Sequence, residues 1–587
     1  MFAFWGKIAH VDLASGNAEL EKLPEETYRY YLGGRGLGTF LLHREVDPGI
    51  YPLSPLNKLI FATGPLSDSP IWGSSRYAVL SKSPLTGGYA DLYAGGDLAP
   101  AIKKCGLDAL IITGSSPEPV YLLIKPEQVE IRKASELWGK DTYYTIEALE
   151  RSHGKGARAI VIGPAGENQV RIASLHNNYG RSASRCGLGA VAGSKMLKGI
   201  VFQGNLTTPY AHRNQLQQIA REQRLQYQHS PTSQTLREEG TVSGVALMNT
   251  AGGFPTGYWQ EGILPNWEQV NSQYMQENLP VKSKSCRRCF LFCGKYNQVL
   301  QGDYAGSEVE GPEFETIYAF AGLCRITSFE GLVYLNELCD RLGMDTISAG
   351  NLASFAIEAG RRGMAPFQLD YGDPAGTGEL LRKIARREGN AQKLGEGIKE
   401  ASRYWGIEDL AIQVKGLEPA AYDPRRLPGM GLAYATAPRG ACHLRTNFYI
   451  PELKGEVSSE DLPHLVERFC DYEENYTLMD SLILCRFYRN FLGWDYYQQV
   501  LEAATGWKYL EGDLKKVASR IIDTSRRFNQ EAGIVPGEDH LPDRFFKEPL
   551  YYGNEPGPVL DLEVFEEMLQ LYYRKRGWNK SGICSRR

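Results

Sequence analysis

Runs of β-branched and aliphatic residues closed by glycine turns fill the first two hundred positions: "KIAHVDLASGNAEL", "KLIFATGPLS", "ALIITGSS", "VYLLIKPEQVEIRK" and "ARAIVIGPAGENQVRIASL". Short apolar runs bounded in this way predict strands and hairpins. Between them lie "LGGRGLG" (Leu32 to Gly38), "TGGYADLYAGG" (Thr86 to Gly96) and "SRCGLGAVAGSK" (Ser184 to Lys195). Such stretches leave backbone bare, the condition for close approach of a ligand. Near residue 207 the pattern turns polar and helical in "RNQLQQIAREQRLQYQ", and long amphipathic patterns follow in "PHLVERFCDYEENYTLMDSLILCRFYRNFL" and "DLKKVASRIIDTSRRFNQEAG". The expected architecture is an α+β multidomain chain. A strand-rich N-terminal domain (1–206) precedes two mainly α-helical domains (207–412 and 413–587). No internal repeat of fixed period is visible.

Composition narrows the class. In 587 residues, 42% are hydrophobic, enough to bury a core in each domain. A net charge of −4 and the lack of long Lys/Arg runs argue against a nucleic-acid partner. The N-terminus "MFAFWGKIAHVDL" meets Lys7 and Asp12 too early for a signal peptide, and no segment has the apolar length of a membrane span. The expectation is a soluble, cytoplasmic protein. Eleven cysteines without an export signal read as thiols and ligands rather than as a disulfide framework.

Three of them crowd into "SKSCRRCFLFCGKY": Cys286, Cys289 and Cys293. Thiolates at Cys-x-x-Cys-x-x-x-Cys converge from one loop on an iron–sulfur cluster or a zinc ion. Isolated cysteines are usually structural, but three at this spacing favour ligation. Zinc fits less well, because no second Cys-x-x-Cys or His pair lies nearby. The fourth ligand must come from a distance, with Cys324, Cys339, Cys442, Cys470 and Cys485 as candidates.

Two further segments repeat one pattern: "CDRLGMDTISAGN" holds Asp340-x-x-Gly343-Met344-Asp345, and "MDSLILCRF" holds Asp480-x-x-Ile483-Leu484-Cys485. This pair resembles the Asp-x-x-Gly-Leu-(Asp/Cys) motifs of the aldehyde:ferredoxin oxidoreductase family. The likeness extends along the chain through "YLGGRGLG", "GPLSDSPIWGSSRYAV", "EGPEFETI", "AYATAPRGACHLR" and "FNQEAG". It implies a tungsten, or molybdenum, held by two pterin dithiolenes, a magnesium ion bridging the pterin phosphates, and one four-iron four-sulfur cluster. The ligands it implies for the cluster are Cys286, Cys289, Cys293 and Cys485. It assigns pterin contacts to Asp340, Asp345 and Asp480, to Arg76 between pterin and cluster, and to Gly95, Gly96, Ala183 and Gly187. The strand-rich domain becomes the expected cofactor-binding domain. A carboxylate suits the amino-pyrimidine edge of a pterin, because it accepts two parallel hydrogen bonds.

The resemblance also places His443 of "RGACHLR" and a glutamate of "EGPEFETI" at the metal. Histidine suits proton transfer near neutral pH. Of the two glutamates, Glu315 is the preferred candidate and Glu313 the alternative. The implied reaction oxidises an aldehyde to its carboxylic acid and passes electrons to a ferredoxin or another iron–sulfur carrier. Three positions depart from the family: Ile483 replaces a glycine, Met344 a leucine, and Tyr93 an asparagine near the magnesium. The helix before Asp340 lacks the Glu-x-x-His that binds a bridging iron in some relatives. A homodimer or a complex with further redox subunits stays open. The competing expectations are a tungsten subunit of a larger complex that reduces aromatic thioesters, and a non-catalytic iron–sulfur electron-transfer protein.

Overall fold

The computed structural model describes residues 1–585. Its first six strands are β1 (Lys7–Asp12), β2 (Asn17–Lys22), β3 (Leu59–Ala62), β4 (Tyr77–Lys82), β5 (Tyr89–Ala94) and β6 (Ala109–Thr113). They form one sheet in the order β2-β1-β6-β3-β4-β5, antiparallel except where β1 runs parallel to β6. Every residue of β3, β4 and β5 is buried. That explains why apolar residues fall on both faces of these strands, since a strand covered on both sides has no solvent face to show.

A second sheet joins β7 (Val120–Lys125), β8 (Gln128–Lys133), β9 (Arg158–Val161), β10 (Leu175–Asn177), β11 (Arg181–Ala183) and β12 (Leu197–Phe202), in the order β11-β10-β9-β12-β7-β8. The two sheets approach each other where β5 packs against β11. A third, small sheet of β13 (Val281–Lys284), β14 (Gly294–Gln298) and β15 (Glu308–Glu310) carries Cys286, Cys289 and Cys293 in and beside the loop joining β13 to β14. The rest is mainly helical, so the strand-rich start and helical remainder match the expected fold class.

The helical patterns fold where their periodicity places them, as helices Arg213–Tyr227, Leu462–Leu482 and Glu511–Glu531. The glycine-rich stretches take up regular structure. The first opens helix Gly34–Glu45, the second contains β5, and the third contains helix Leu188–Ser194. In the first, glycine serves close packing. A Cβ on Gly38 would lie 2.1 Å from Leu80, and one on Gly36 would lie 2.8 Å from Ile521.

Chain ends distant in sequence share one core. Helix Leu462–Leu482 packs on Gly34–Glu45, Glu511–Glu531 and Leu562–Arg576. Ile60, Leu80 and Ile111 of the first sheet join Leu482, Ile483, Val500 and Ile521 in one buried cluster. No helix among the described residues is long and apolar enough to cross a membrane.

The N-terminus is fastened by Asp108, which accepts hydrogen bonds from the backbone of Trp5 and Gly6, from the Tyr28 hydroxyl and from the buried Lys103 ammonium. Both members of the Lys103–Asp108 pair are fully buried. Asp108→Ala leaves the Lys103 cation without a counter-charge, a change that costs ~3–5 kcal/mol. The expected result is a large fall in the urea midpoint; a midpoint equal to the parent's would show that this pair does not hold the sheet edge.

Candidate functional site

The cysteine loop is held in place through its backbone. Gly73 donates its N–H to Arg288 and accepts from the N–H of Cys485, so one residue ties the three-cysteine loop to the distant fourth cysteine. Ser75 adds a hydroxyl bond to the Arg287 carbonyl. Around the sulfurs, the N–H of Gly96 donates to Cys286 Sγ at 3.2 Å and the Tyr488 hydroxyl to Cys289 Sγ at 3.6 Å. Arg76 Nη1 lies 3.9 Å from Cys485 Sγ, while its Nη2 donates to the Tyr93 carbonyl. A Cβ on Gly95 would sit 2.6 Å from Cys286 Sγ. Gly95 and Gly96 are thus the bare backbone against which the first cysteine rests.

The sulfurs sense one another. Burial pushes the Cys289 thiol up to about 11, with Cys485 and Cys286 adding to the shift. Cys293 is pushed up by burial, with Cys289 and Cys485 adding while Arg181 opposes.

The two Asp-x-x motifs adopt the same helix ending. Helix Phe329–Leu342 stops at Gly343 (φ 76°) and helix Leu462–Leu482 at Ile483 (φ 64°), both left-handed. A β-branched residue in this region carries strain of order 1–3 kcal/mol. Packing over-determines it: a Cβ on Gly34 would lie 2.4 Å from Ile483 Cδ1, and one on Gly64 2.9 Å from Ile483 Cγ1. Two glycines therefore make the slot that holds Ile483, and the family's backbone turn survives the loss of its glycine.

The two aspartates sit in opposite electrostatic settings. Asp480 Oδ2 accepts from Arg445 Nη1 at 2.9 Å and Arg486 Nη2 at 2.6 Å, and its Oδ1 accepts from Arg486 Nε. Burial alone would raise its pKa, but Arg486 and Arg445 outweigh burial and hold it below the ordinary value. Asp340 has only neutral partners on Oδ2, Asn336 and Tyr143, and His176 Nδ1 3.9 Å from Oδ1. Burial pushes it up to about 8. Asp345, by contrast, caps helix Thr346–Arg361 and pairs with Arg185 at 3.2 Å.

Asp91 of β5 links these groups to the first sheet. It accepts from Arg445 and from the Tyr93 hydroxyl, and Arg35 Nε lies 3.4 Å away. Tyr93, the departure noted in the sequence, places its ring 4.7 Å from the Arg445 guanidinium. Its hydroxyl belongs to this network.

Beside the network lies a carboxyl–imidazole pair. Glu315 Oε1 is 3.4 Å from His443 Nε2, and its Oε2 accepts from the Ala421 N–H at 3.1 Å. Burial pushes Glu315 up to about 8, against the Ala421 N–H and Arg185. Burial, then Arg185, Arg439, Arg445 and Arg486, keep His443 neutral. Glu313 points elsewhere: it precedes helix Phe314–Ile317 and accepts from Thr241. The structure therefore brings Glu315, and not Glu313, to His443.

Cys442, weighed in the sequence only as a candidate fourth cluster ligand, has a sulfur that accepts from Arg439 Nε at 3.1 Å and Nη2 at 2.9 Å. Burial would raise this thiol, yet Arg439 and Arg445 bring it down to about 7. Sequence reasoning did not find Arg35, Asp91, Arg185, Arg445 and Arg486. The available signal was Asp91 itself, a charge inside an otherwise uncharged buried strand. Ala183 ends β11 opposite Leu175, and Gly187 opens helix Leu188–Ser194 at φ 77°, where a Cβ would meet the Arg171 carbonyl at 2.2 Å.

Two family models cover nearly the whole chain: "Aldehyde ferredoxin oxidoreductase, N-terminal domain" over residues 8–204 and "Aldehyde ferredoxin oxidoreductase, domains 2 & 3" over residues 218–587. The chain belongs to the aldehyde ferredoxin oxidoreductase family. It is 36% identical to the tungsten-containing aldehyde ferredoxin oxidoreductase of Pyrococcus furiosus, over 99% of this chain and 97% of that protein. It is 30% identical to the WOR-like subunit of the aliphatic sulfonate oxidoreductase of the same organism, over 99% and 96%. Its fold is similar to a chain of the BamBC active-site complex of benzoyl coenzyme A reductase bound to 1,5-dienoyl-CoA, with a TM-score of 0.84, 24% identity, and coverage of 99% and 96%.

Buried polar atoms without partners mark where a large polar group fits this aldehyde ferredoxin oxidoreductase family member. They include Asp91 Oδ1, Arg445 Nε, Arg486 Nη1, His176 Nδ1 and Glu315 Oε1. Buried polar atoms are normally satisfied. Their distribution from Asp340's neighbour His176 across to Arg486 suits a ligand rich in hydrogen-bonding edges.

The Ile483 slot is testable. A Cβ at Gly34 would lie 2.2 Å from the Asp480 carbonyl, at a φ of 44°. Gly34→Ala is expected to destabilise the fold by ~1–3 kcal/mol, the usual cost of overpacking. An unchanged urea midpoint would show that the slot tolerates a side chain.

Proposed function

We propose that this chain oxidises an aldehyde to its carboxylic acid and passes the electrons through a four-iron four-sulfur cluster to a ferredoxin. The observation that carries the proposal is the Glu315–His443 pair, a proton-holding carboxyl 3.4 Å from a neutral imidazole. The tungsten-containing relative supports the metal assignment. Cys286, Cys289, Cys293 and Cys485 would hold the cluster. Asp340 would face one pterin with its unshared Oδ1, and Asp480 would hold the other side through Arg445 and Arg486. Arg76 would lie between the two cofactors, and a magnesium ion would bridge the pterin phosphates. When bound, the tungsten bis-pterin and cluster supply the redox chemistry of R-CHO + H2O → R-COOH + 2 e− + 2 H+.

The chain's own residues handle protons. Because the Ala421 N–H donates to Oε2, the Glu315 proton sits on Oε1, on the side of His443. That hydrogen can donate to an aldehyde oxygen, while neutral His443 accepts the proton lost by water.

A second reading makes the chain the tungsten subunit of a larger low-potential assembly. It is favoured by the WOR-like relative, itself a subunit. Co-elution of flavin or further iron–sulfur subunits from the native host would select it.

The primary test is elemental analysis of protein prepared without oxygen, followed by aldehyde oxidation with a viologen acceptor. One tungsten and about four irons per chain, the content of one cubane, are expected. Iron without tungsten or molybdenum would leave the non-catalytic electron-transfer reading. Cys289→Ser is expected to lose most of the iron; full iron content would sink the ligand assignment.

The pH dependence follows from the Glu315 shift. Its carboxyl is protonated below about 8 and ionised above, so kcat/KM is expected to fall as pH rises through that value. Glu315→Gln keeps a hydrogen-bond donor that cannot ionise, and should lose the alkaline limb while retaining slower turnover. An alkaline limb identical to the parent's would remove Glu315 from the mechanism.

A further inference from the structure

The surface over the three-cysteine loop is positively charged in a chain whose net charge is −4. Lys282, Lys284, Arg287 and Arg288 are all exposed within seven positions of Cys286 and Cys289. Arg213 and Lys104, from elsewhere in the chain, extend the same field, since both act with Arg287 and Arg288 on the single half-buried carboxylate Asp68. Asp68 is 3.9 Å from Arg287 and 4.0 Å from Lys104. Among the described residues, Lys282, Lys284, Arg213 and Arg288 enter no ion pair. Lys284 Nζ lies over the Tyr296 ring, 5.4 Å from its centroid.

Two more features mark this face. Phe292, beside Cys293, is 39% exposed and sits at a left-handed φ of 51°. Cys286 and Cys289 are themselves only partly buried, so a cluster held by this loop would lie close to solvent, beneath a cationic rim that carries the exposed ring of Phe292.

We propose that Lys282, Lys284, Arg287, Arg288, Arg213 and Lys104, with the exposed ring of Phe292, form the docking face for a small acidic iron–sulfur carrier protein. The partner is a freely exchanging ferredoxin with a carboxylate-rich surface, and it meets the chain directly over Cys286 and Cys289. This rests on the reading under Proposed function for the direction of electron flow. Unpaired surface cations steer an anionic partner and raise its encounter rate while contributing little to a permanent complex. Such steering weakens as salt rises, because the screening length is ~8 Å at physiological ionic strength. Each turnover delivers two electrons, and a one-electron carrier must dock twice, so fast exchange is what the reaction requires.

The test compares the parent with a triple variant, Lys282→Glu, Lys284→Glu and Arg287→Glu, and with Arg287→Glu alone should the triple variant fail to accumulate. None of these side chains contacts a cysteine sulfur or the Glu315–His443 pair. Steady-state rates are measured with an acidic ferredoxin and with methyl viologen, a small dication that needs no docking face. The KM for ferredoxin should rise at least tenfold in the triple variant and lose its salt dependence, with the viologen rate within twofold of the parent. In parallel, line broadening of isotope-labelled oxidised ferredoxin reports binding without turnover. It should appear with the parent and vanish with the variant.

A ferredoxin KM within twofold of the parent's, with broadening unchanged, overturns the docking face. A carrier that stays bound through gel filtration at high salt also overturns it, since that is a permanent subunit. If the parent oxidises no aldehyde yet broadens ferredoxin and the variant does not, the aldehyde reading fails and the docking face stands.

Discussion

The buried ion network Arg35–Asp91–Arg445–Asp480–Arg486 is the interaction on which the rest of the site depends. Each group comes from a different place in the chain: helix Gly34–Glu45, strand β5, the segment after Pro438, the end of helix Leu462–Leu482, and the turn after Cys485. Isolated charges are costly to bury, and removing one member of a buried pair costs ~3–5 kcal/mol. The five groups are therefore tolerable only together. Three cations face two carboxylates here, and the unpartnered Arg445 Nε and Arg486 Nη1 mark the residual demand for a polar ligand. Closing the network brings the first sheet and the C-terminal helices into one register, with Cys485 five residues beyond Asp480.

Backbone geometry does the remaining positioning. Ile483 holds a left-handed turn that an isolated chain would resist, because Gly34 and Gly64 leave room for its side chain and little else. The same turn carries Asp480 on one side and Cys485 on the other. Gly73 then fastens Cys485 to the cysteine loop by two backbone hydrogen bonds. One strained corner thus sets both the Asp480 carboxylate and the Cys485 thiol, the groups that would hold a pterin and the cluster in the proposed reaction.

The arginines that neutralise the aspartates also set the proton chemistry. Arg185, Arg439, Arg445 and Arg486 reinforce burial in keeping His443 uncharged, and Arg439 and Arg445 hold Cys442 toward its thiolate. Glu315 escapes this field enough for burial to dominate, so its carboxyl keeps a proton that an exposed glutamate would lose. Burial, reinforced by the arginines at His443 and opposed by Arg185 at Glu315, thus leaves a neutral imidazole and a protonated carboxyl side by side. Toward the surface the charge is again positive, around the cysteine loop, where Asp68 pairs with Arg287 and Lys104 and the other cations stand exposed.

The sequence by itself determined the element types and the chemical inventory. Apolar runs of strand length and amphipathic patterns of helical period are local properties, and they placed β1, β3, β6, β7 and the long helices near where they lie. The spacing of Cys286, Cys289 and Cys293 is equally local, since one loop contains all three. The paired motifs at Asp340 and Asp480 were legible because helix ends repeat a short pattern. What only the tertiary structure decided were contacts across hundreds of positions. It brought Glu315 rather than Glu313 to His443, engaged Asp480 with two arginines while leaving Asp340 open, and turned Gly34, Gly64, Gly95 and Gly96 into surfaces for particular partners. It also folded the glycine-rich stretches into helix and strand. Local spacing cannot encode these outcomes, because burial, charge compensation and steric fit belong to groups that become neighbours only when the chain has closed.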